Sequence, residues 1–155
     1  MGLIGTGIFQ ARRDGRWVDV VSEIDPCAAP VNAWLEQYRT ARGFPADFEV
    51  VDEEWHPIDG ADLRRPLDRG RPYLKGHPTF GRLCPGEAPS WLHADEMLAG
   101  VRNAVAWWHG FDESCLEGVD PEVIPGWPDL RKFFGEVARL VGLHGEVRLV
   151  FGLTY

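Results

Sequence analysis

Along this chain the spacing of apolar positions changes repeatedly, and each change marks an expected element. Residues 2–9, "GLIGTGIF", are apolar from the outset, and residues 16–22, "RWVDVVS", are rich in extended-chain formers. Between them stands Asp14-Gly15. This dipeptide suits a two-residue type I′ turn, whose central residues both need positive φ. The opening is therefore read as a β-hairpin. Gly5 and Gly7 weaken its first strand and point to a close backbone approach there. From Pro30 the period becomes helical: Ala33, Trp34, Tyr38 and Ala41 recur on one face, Pro30 suits a first turn, and Gly43 is a C-terminal stop, which predicts a helix over 30–42. Residues 44–89 break the pattern with Pro45, Pro57, Pro66, Pro72, Pro78, Pro85 and Pro89, leaving one short strand to be expected in "DFEVVDEEW". A connection this long inside a small domain is more often functional or oligomer-forming than idle.

Helical spacing returns in "SWLHADEMLAGVRNAVAWW", with His93 as cap and Asp95 and Glu96 complementing the dipole of the first turn. Met97, Leu98, Val101, Ala104, Val105 and Trp108 make its apolar stripe. In "GWPDLRKFFGEVARLVG" Pro128 starts a helix and Gly142 ends it, with Leu130, Phe133, Phe134, Val137, Leu140 and Val141 on one face. The last strand, "GEVRLVFGLTY", places Val147, Leu149, Phe151 and Leu153 on one side, and its natural neighbour is the equally apolar first strand. The expected fold is a single α+β domain over 1–155. It has a small, mainly antiparallel sheet made of the N-terminal hairpin and the C-terminal strand. About three helices pack on one face, and a long Pro/Gly-rich loop completes it.

Composition narrows the function classes. The chain has 155 residues, 45% of them apolar, and a net charge of −8, which argues against wholesale nucleic-acid binding because that requires a basic surface. Three cysteines, Cys27, Cys84 and Cys115, are odd in number and lack C-x-x-C spacing, so a disulfide framework is not expected and a reducing, cytoplasmic setting is. No run of apolar residues is long enough to span a membrane, and the N-terminus lacks the charged and apolar regions of a signal peptide. Seven tryptophans are many for this length. Most suit a core, but adjacent Trp107 and Trp108 point about 100° apart on a helix, so one of them faces away from it.

Motifs for chemistry are sparse. There is no G-x-S-x-G, and "GLIGTG" lacks the Lys-Ser/Thr of a phosphate loop. His56, His77, His93, His109 and His144 are scattered without metal-ligand spacing, and the acidic run "VDEEW" reads as a solvated edge, so no metal or cofactor is expected. The most informative segment is "DLRRPLDRGRPYLKGHPTFGR", residues 62–82. It sets Arg64, Arg65, Arg69, Arg71, Lys75 and Arg82 against Asp62 and Asp68, a local charge of about +4, with Tyr73, His77 and Phe80 interleaved. Guanidinium forks bind phosphate and aromatic faces stack on bases, so the combination suits a phosphorylated, base-bearing small molecule. It equally suits a solvated loop that pairs with the chain's own acidic surface or with another subunit.

"MGLIGTGIFQARRDGRWVDV" resembles the opening of a family of small phage- and prophage-encoded proteins. Those begin Met-Gly-Cys-Asp-Ile-His and continue through a strand and a Glu to a "DG-W" turn. "AWLEQYRTARGF", "SWLHADEML" and "EVRLVFGLTY" are similar to later segments of that family, in order. Arg39, Ser90, Trp91 and Arg148 persist, whereas the Cys-Asp-Ile-His positions are Leu3, Ile4, Gly5 and Thr6 here and the Glu is Gln10. Any metal or acid–base role of those polar groups in relatives is lost from this chain. A phage origin implies a role in counteracting host defence within the cytoplasm of an infected bacterium.

The expected function is thus a non-enzymatic protein that sequesters an anionic, nucleotide-like small molecule such as a host immune signal. Arg71, Lys75 and Arg82 would contact phosphate, Tyr73 and Trp91 would stack on or wall the base, and Thr6 and Gln10 would hydrogen-bond to it. Arg39, His77 and Arg102 complete the candidate ligand set. The alternatives are a protein-interaction module anchored by Trp107 or Trp127, and a nucleotide phosphodiesterase or hydrolase using His77, His93 or Asp95 as base. A homo-oligomer is expected, through exchange of the proline-rich arm between subunits.

Overall fold

The computed structural model describes residues 4–36, 42–52, 54–60, 73–74, 87–100 and 126–154. The opening hairpin forms as expected and is longer on its first side: β1 spans Ile4–Arg13 and β2 spans Arg16–Asp19. Asp14 (φ 51°) and Gly15 (φ 76°) both adopt the positive φ that a type I′ turn demands. After it come α1 (Ala29–Leu35), β3 (Val50–Val51), β4 (Pro57–Ile58), β5 (Tyr73–Leu74), β6 (Ala88–His93), α2 (Ala94–Ala99), α3 (Trp127–His144) and β7 (Val147–Thr154).

The main sheet has the order β2-β1-β7-β6, with every pair antiparallel. The two apolar terminal strands pair along eight positions from Ile4↔Thr154 to Ala11↔Val147, as the sequence leads one to expect. The architecture is α+β, with three helices among the described residues.

Alternation along the strands gives this sheet two different faces. On one, Phe9, Ala11, Leu92, Val147, Leu149, Phe151 and Leu153 meet Val31, Trp34 and Leu35 of α1, Met97 of α2, and Leu130, Phe133, Phe134, Val137 and Leu140 of α3. Trp34 packs edge-on to Phe134 at 5.1 Å between ring centres and lies 5.9 Å from Phe133. Each such buried side chain contributes about 1.5–3 kcal/mol. Gly5 is needed here, since a Cβ on it would fall 2.4 Å from Asn32 Oδ1 of α1 and 2.8 Å from Leu153 Cδ2.

The other face is covered too. Ile8, Trp91 and Val150 lie in one cross-strand row, and Phe44, Phe48, Val50 and Ile58 pack over them. The covering segment folds back on itself through a bond from Phe44 N–H to Gly60 O (3.1 Å) and forms a second sheet of order β4-β3-β5. Part of the proline-rich middle therefore makes a lid of strands two residues long, of which β3 is the short strand expected in "DFEVVDEEW" and β4 and β5 replace expected loop.

One helix boundary differs from expectation, and two helices run up to residues outside the described ones. Helix α3 runs through Gly142 and stops at Gly145, whose φ of 82° ends it, because a glycine inside a helix costs only about 1 kcal/mol whereas a positive φ cannot continue one. Helix α1 is capped at Glu36, and residues 37–41 lie outside the described residues. Helix α2 begins after His93, the expected cap, and the remainder of its predicted length, with Trp107 and Trp108, is likewise outside. Among the described residues no helix is long and apolar enough to cross a membrane.

Candidate functional site

The face of the main sheet away from the helices carries an extended polar network. Register places Asp19, Gln10, Arg148 and His93 in a row across its four strands. Gln10 Nε2 donates to Asp19 Oδ1 at 2.9 Å, and its Oε1 accepts from Arg148 Nε (2.9 Å) and Nη2 (2.8 Å). Arg148 Nη1 and Nη2 also donate to the two carboxylate oxygens of Asp47, at 2.9 and 2.8 Å. Its guanidinium carbon lies 4.2 Å from the ring centre of Trp17 and 5.4 Å from that of Phe48. Arg148 is buried, and this paired, bidentate geometry is what makes a buried cation tolerable. The network clamps the segment bearing Asp47 and Phe48 onto the sheet.

A second cation–ring pair lies alongside. Arg42 donates two bonds to the Glu96 carboxylate and one to Trp91 O (3.3 Å), with its guanidinium 4.6 Å from the Trp91 ring centre. These bonds, together with one from His93 N–H to Glu96 Oε2 (2.8 Å), hold the Glu96 carboxyl below its ordinary range. His93 packs between two indoles, 5.0 Å from Trp91 and 5.8 Å from Trp17. Beside this cluster opens a cleft of about 470 Å³, walled by His93, Asp95, Glu96 and Glu146 with Ala94, Gly145 and Val147. Its charged walls are carboxylates, so its field repels phosphate. Arg12, 3.8 Å from Glu146, is already paired with one of them.

The β3–β4 connection is the third feature. Asp52 Oδ1 accepts from the backbone N–H groups of Glu54 and His56, both at 2.8 Å, and Trp55 N–H donates to Asp52 O at 3.0 Å. The bonds from the turn, that of His56 first, lower the pKa of Asp52 from its ordinary value, and His56 Nδ1 lies 3.2 Å from its Oδ2. This framework holds Trp55 at φ 66°, a conformation a bulky residue rarely adopts, with 62% of the residue exposed. Trp55 walls a cavity of about 260 Å³ together with Phe48, Val50, Val51, Pro57, Ile58 and Glu49. On the opposite side of β3 lies β5, where Val51 pairs with Tyr73 and Val50 with Leu74.

Of the residues expected to form the site, the structure brings Thr6, Gln10 and Trp91 to the same sheet face. Thr6 is half-buried opposite Gly152, Gln10 has its amide engaged at both ends, and Trp91 lies half-buried beneath Arg42. Tyr73 is placed by the β5 pairing on the sheet that covers this face. Arg39, Arg71, Lys75, His77, Arg82 and Arg102 lie outside the described residues. Trp127, an expected interaction anchor, packs partly buried against the helix-side core. Sequence reasoning missed Trp55, Asp47 and Arg42. The available signal was "VDEEWHP", where an Asp precedes a Trp-His pair by a turn's length.

Among the described residues, no group of three or more His, Cys, Asp or Glu side chains is arranged to hold a metal ion. Comparison with family models, curated proteins and solved structures finds no match to the chain. The main sheet thus carries helices on one face and, on the other, an aromatic and arginine-bearing surface under a small lid.

Proposed function

We propose that the protein is a non-enzymatic binding protein that captures a small anionic, nucleotide-like molecule. As a phage-encoded component in the cytoplasm of an infected bacterium, it would remove a host nucleotide signal from circulation. One observation carries this reading. Strand β5 lies in the middle of the most basic stretch of the chain and pairs with β3, a wall of the aromatic cavity that exposes Trp55. In sequence, Arg71 precedes Tyr73 by two residues and Lys75 follows Leu74. Phosphate affinity comes from guanidinium and ammonium groups, and base affinity from an exposed ring held rigidly. Arg12, Arg42, Arg139 and Arg148 already face carboxylates of this chain, and in this reading Arg71, Lys75 and Arg82 supply the phosphate-binding charge.

Calorimetry with cyclic dinucleotides, cyclic trinucleotides and ADP-ribose derivatives tests the reading, with saturable binding expected for at least one. Chromatography of the denatured complex should return that ligand intact. A folded sample that gives no heat with any of them refutes it. A native mass spectrum reports bound mass and subunit number together, and a homo-oligomer is expected. The second reading is a protein-interaction module, favoured by the exposure of Trp55. It is supported instead if a pull-down retains a single host protein, Trp55→Ala abolishes that capture, and no nucleotide binds.

A further inference from the structure

We propose that the outer edge of β2 pairs with the same edge of a second copy of this chain, antiparallel and related by a two-fold axis through Val18, so that the two main sheets become one. The inference is independent of what the protein binds. It gives the expected homo-oligomer a surface other than the proline-rich arm.

β2 stands at the end of the sheet order β2-β1-β7-β6. In a hairpin with a two-residue turn, the residues flanking the turn exchange backbone hydrogen bonds, and bonded and non-bonded pairs alternate from there. Arg13↔Arg16 and Ala11↔Val18 are therefore the bonded pairs, and Val20 N–H continues the series by donating to Phe9 O at 3.0 Å. Trp17 and Asp19 alternate with them and direct their N–H and C=O groups away from β1. Arg16 and Asp19 are exposed, and Val21 just beyond is 88% exposed, so this edge meets solvent. No proline, lysine or bulge protects it, since the register runs unbroken from Gln10↔Asp19 to Arg13↔Arg16. The strand is also rigid in advance, because Trp17 packs 4.2 Å from the buried Arg148 guanidinium and 5.8 Å from His93. β6, at the other end of the sheet, is by contrast largely buried.

Two further observations select a second copy as the occupant. Of the three large apolar side chains exposed among the described residues, two border this edge. One is Val21. The other is Leu143, on the stripe of α3 that runs beside β2. Along that stripe Glu136 accepts from Ser22 Oγ and Glu23 N–H, Arg139 Nε lies 3.8 Å from Glu23, Leu143 follows one turn on, and His144 Nδ1 accepts from Arg13 Nη2 at 2.8 Å. The second observation is charge. The turn end of the hairpin carries Arg12, Arg13 and Arg16 against Asp14, and the chain from the end of β2 onward carries Asp19, Glu23 and Asp25. Arg16 makes no ion pair among the described residues, and the Glu23 side chain is 74% exposed. An antiparallel copy sets each positive end beside the other's negative end, whereas a parallel one sets like ends together. An unrelated charged peptide would satisfy one end and be repelled at the other. With Val18 on the axis, Trp17 lies opposite the partner's Asp19, so the two exchange backbone bonds on both sides of the axis, and Val21 reaches the partner's turn. An axis perpendicular to the sheet keeps the helices of both copies on one side, which brings the two α3 stripes together.

Sedimentation of the full chain over about a hundredfold range of concentration should show a monomer–dimer equilibrium in the micromolar range, because one edge strand with one helix stripe is at the small end of specific interfaces. Arg16→Glu should weaken the dimer about tenfold, and adding Glu23→Lys should restore it to within about threefold. Val21→Lys, beside the partner's Arg16, should weaken it about tenfold. These three positions are exposed, so the variants should keep the circular dichroism of the parent. Val18→Cys tests the register. Opposed residues of a non-bonded pair have Cα atoms about 4.5 Å apart, close enough for a disulfide, so mild oxidation should link this variant to its own copy. Val20→Cys, more than about 12 Å from its own copy in the same register, should link no faster than the parent. A chain that stays monomeric throughout overturns the inference, and the ligand titrations then decide the nucleotide-binding reading separately. A dimer that Arg16→Glu and Val21→Lys leave intact, or one in which Val18→Cys links no faster than Val20→Cys, also overturns it.

Discussion

Asp47→Ala removes the carboxylate that neutralises Arg148. The side chain of Arg148 is only 4% exposed, whereas that of Asp47 is 46% exposed. Their removal therefore has unequal consequences. Without Asp47 the guanidinium keeps its two bonds to Gln10 and its place against Trp17, but its charge is stranded in the sheet face. Stranding a buried charge costs about 3–5 kcal/mol. Water reaching the vacated rim offsets part of that, so about 2–3 kcal/mol is expected. Arg148→Met removes the charge and keeps most of the packing. It leaves Gln10 Oε1 buried without its donors, which costs about 2 kcal/mol. The double variant should cost about the same as Arg148→Met alone, because Asp47 has nothing left to neutralise. The coupling energy then equals the Asp47→Ala cost, about 2–3 kcal/mol in magnitude. Urea unfolding at about 25 °C, followed by tryptophan fluorescence with unchanged m-values, measures all three. An Asp47→Ala cost below about 0.5 kcal/mol, or strict additivity, would show that the lid is not clamped by this pair.

Other consequences are as direct. Glu136 accepts from Arg139 Nε, from Glu23 N–H and from Ser22 Oγ, and these bonds, that of Arg139 first, hold its pKa at about 2. A depressed carboxyl stabilises the fold above its unfolded value and loses that contribution as pH falls. About 3 kcal/mol at most, less after screening at the partly exposed Arg139, should disappear between pH 4.5 and pH 2. Glu136→Gln should be less stable at neutral pH and should converge with the parent near pH 2, as read by unfolding across that range. Burial, then Asp25 and Glu87, pushes the Cys27 thiol up to about 12. Iodoacetamide at about pH 8 should accordingly label Cys27 at least ~100-fold more slowly in the native than in the unfolded chain, as mass spectrometry of peptides would report. Gly5→Ala puts a methyl group into Asn32 and Leu153 and should cost about 1–3 kcal/mol in chemical denaturation, whereas Gly15→Ala meets no neighbour and is strained only by its φ of 76°.

The parts of the fold legible in sequence were those where a period runs long enough to be counted. The apolar stripe of α3 and the alternation in β7 each repeat several times, and Asp14-Gly15 names its own turn. Of the lid only β3 was legible, from the extended-chain formers Phe48, Val50 and Val51, whereas β4 and β5 were not, because strands of two residues contain no period. The clamp was not legible either: Arg148 lies 101 residues from Asp47 and 138 from Gln10, and nothing local marks a buried arginine inside an apolar strand. For the site, the basic stretch announced itself by charge density. Trp55 did not, because an indole is ordinarily core material and only its positive φ and exposure set it apart.

A two-dimensional amide NMR titration of the labelled protein with the tightest-binding nucleotide locates the binding surface. Shifts should concentrate at Phe48–Ile58 and at Tyr73 and Leu74, on both sides of β3. Shifts confined instead to the acidic cleft of His93, Asp95 and Glu146, or to the helix-side core, would contradict this placement.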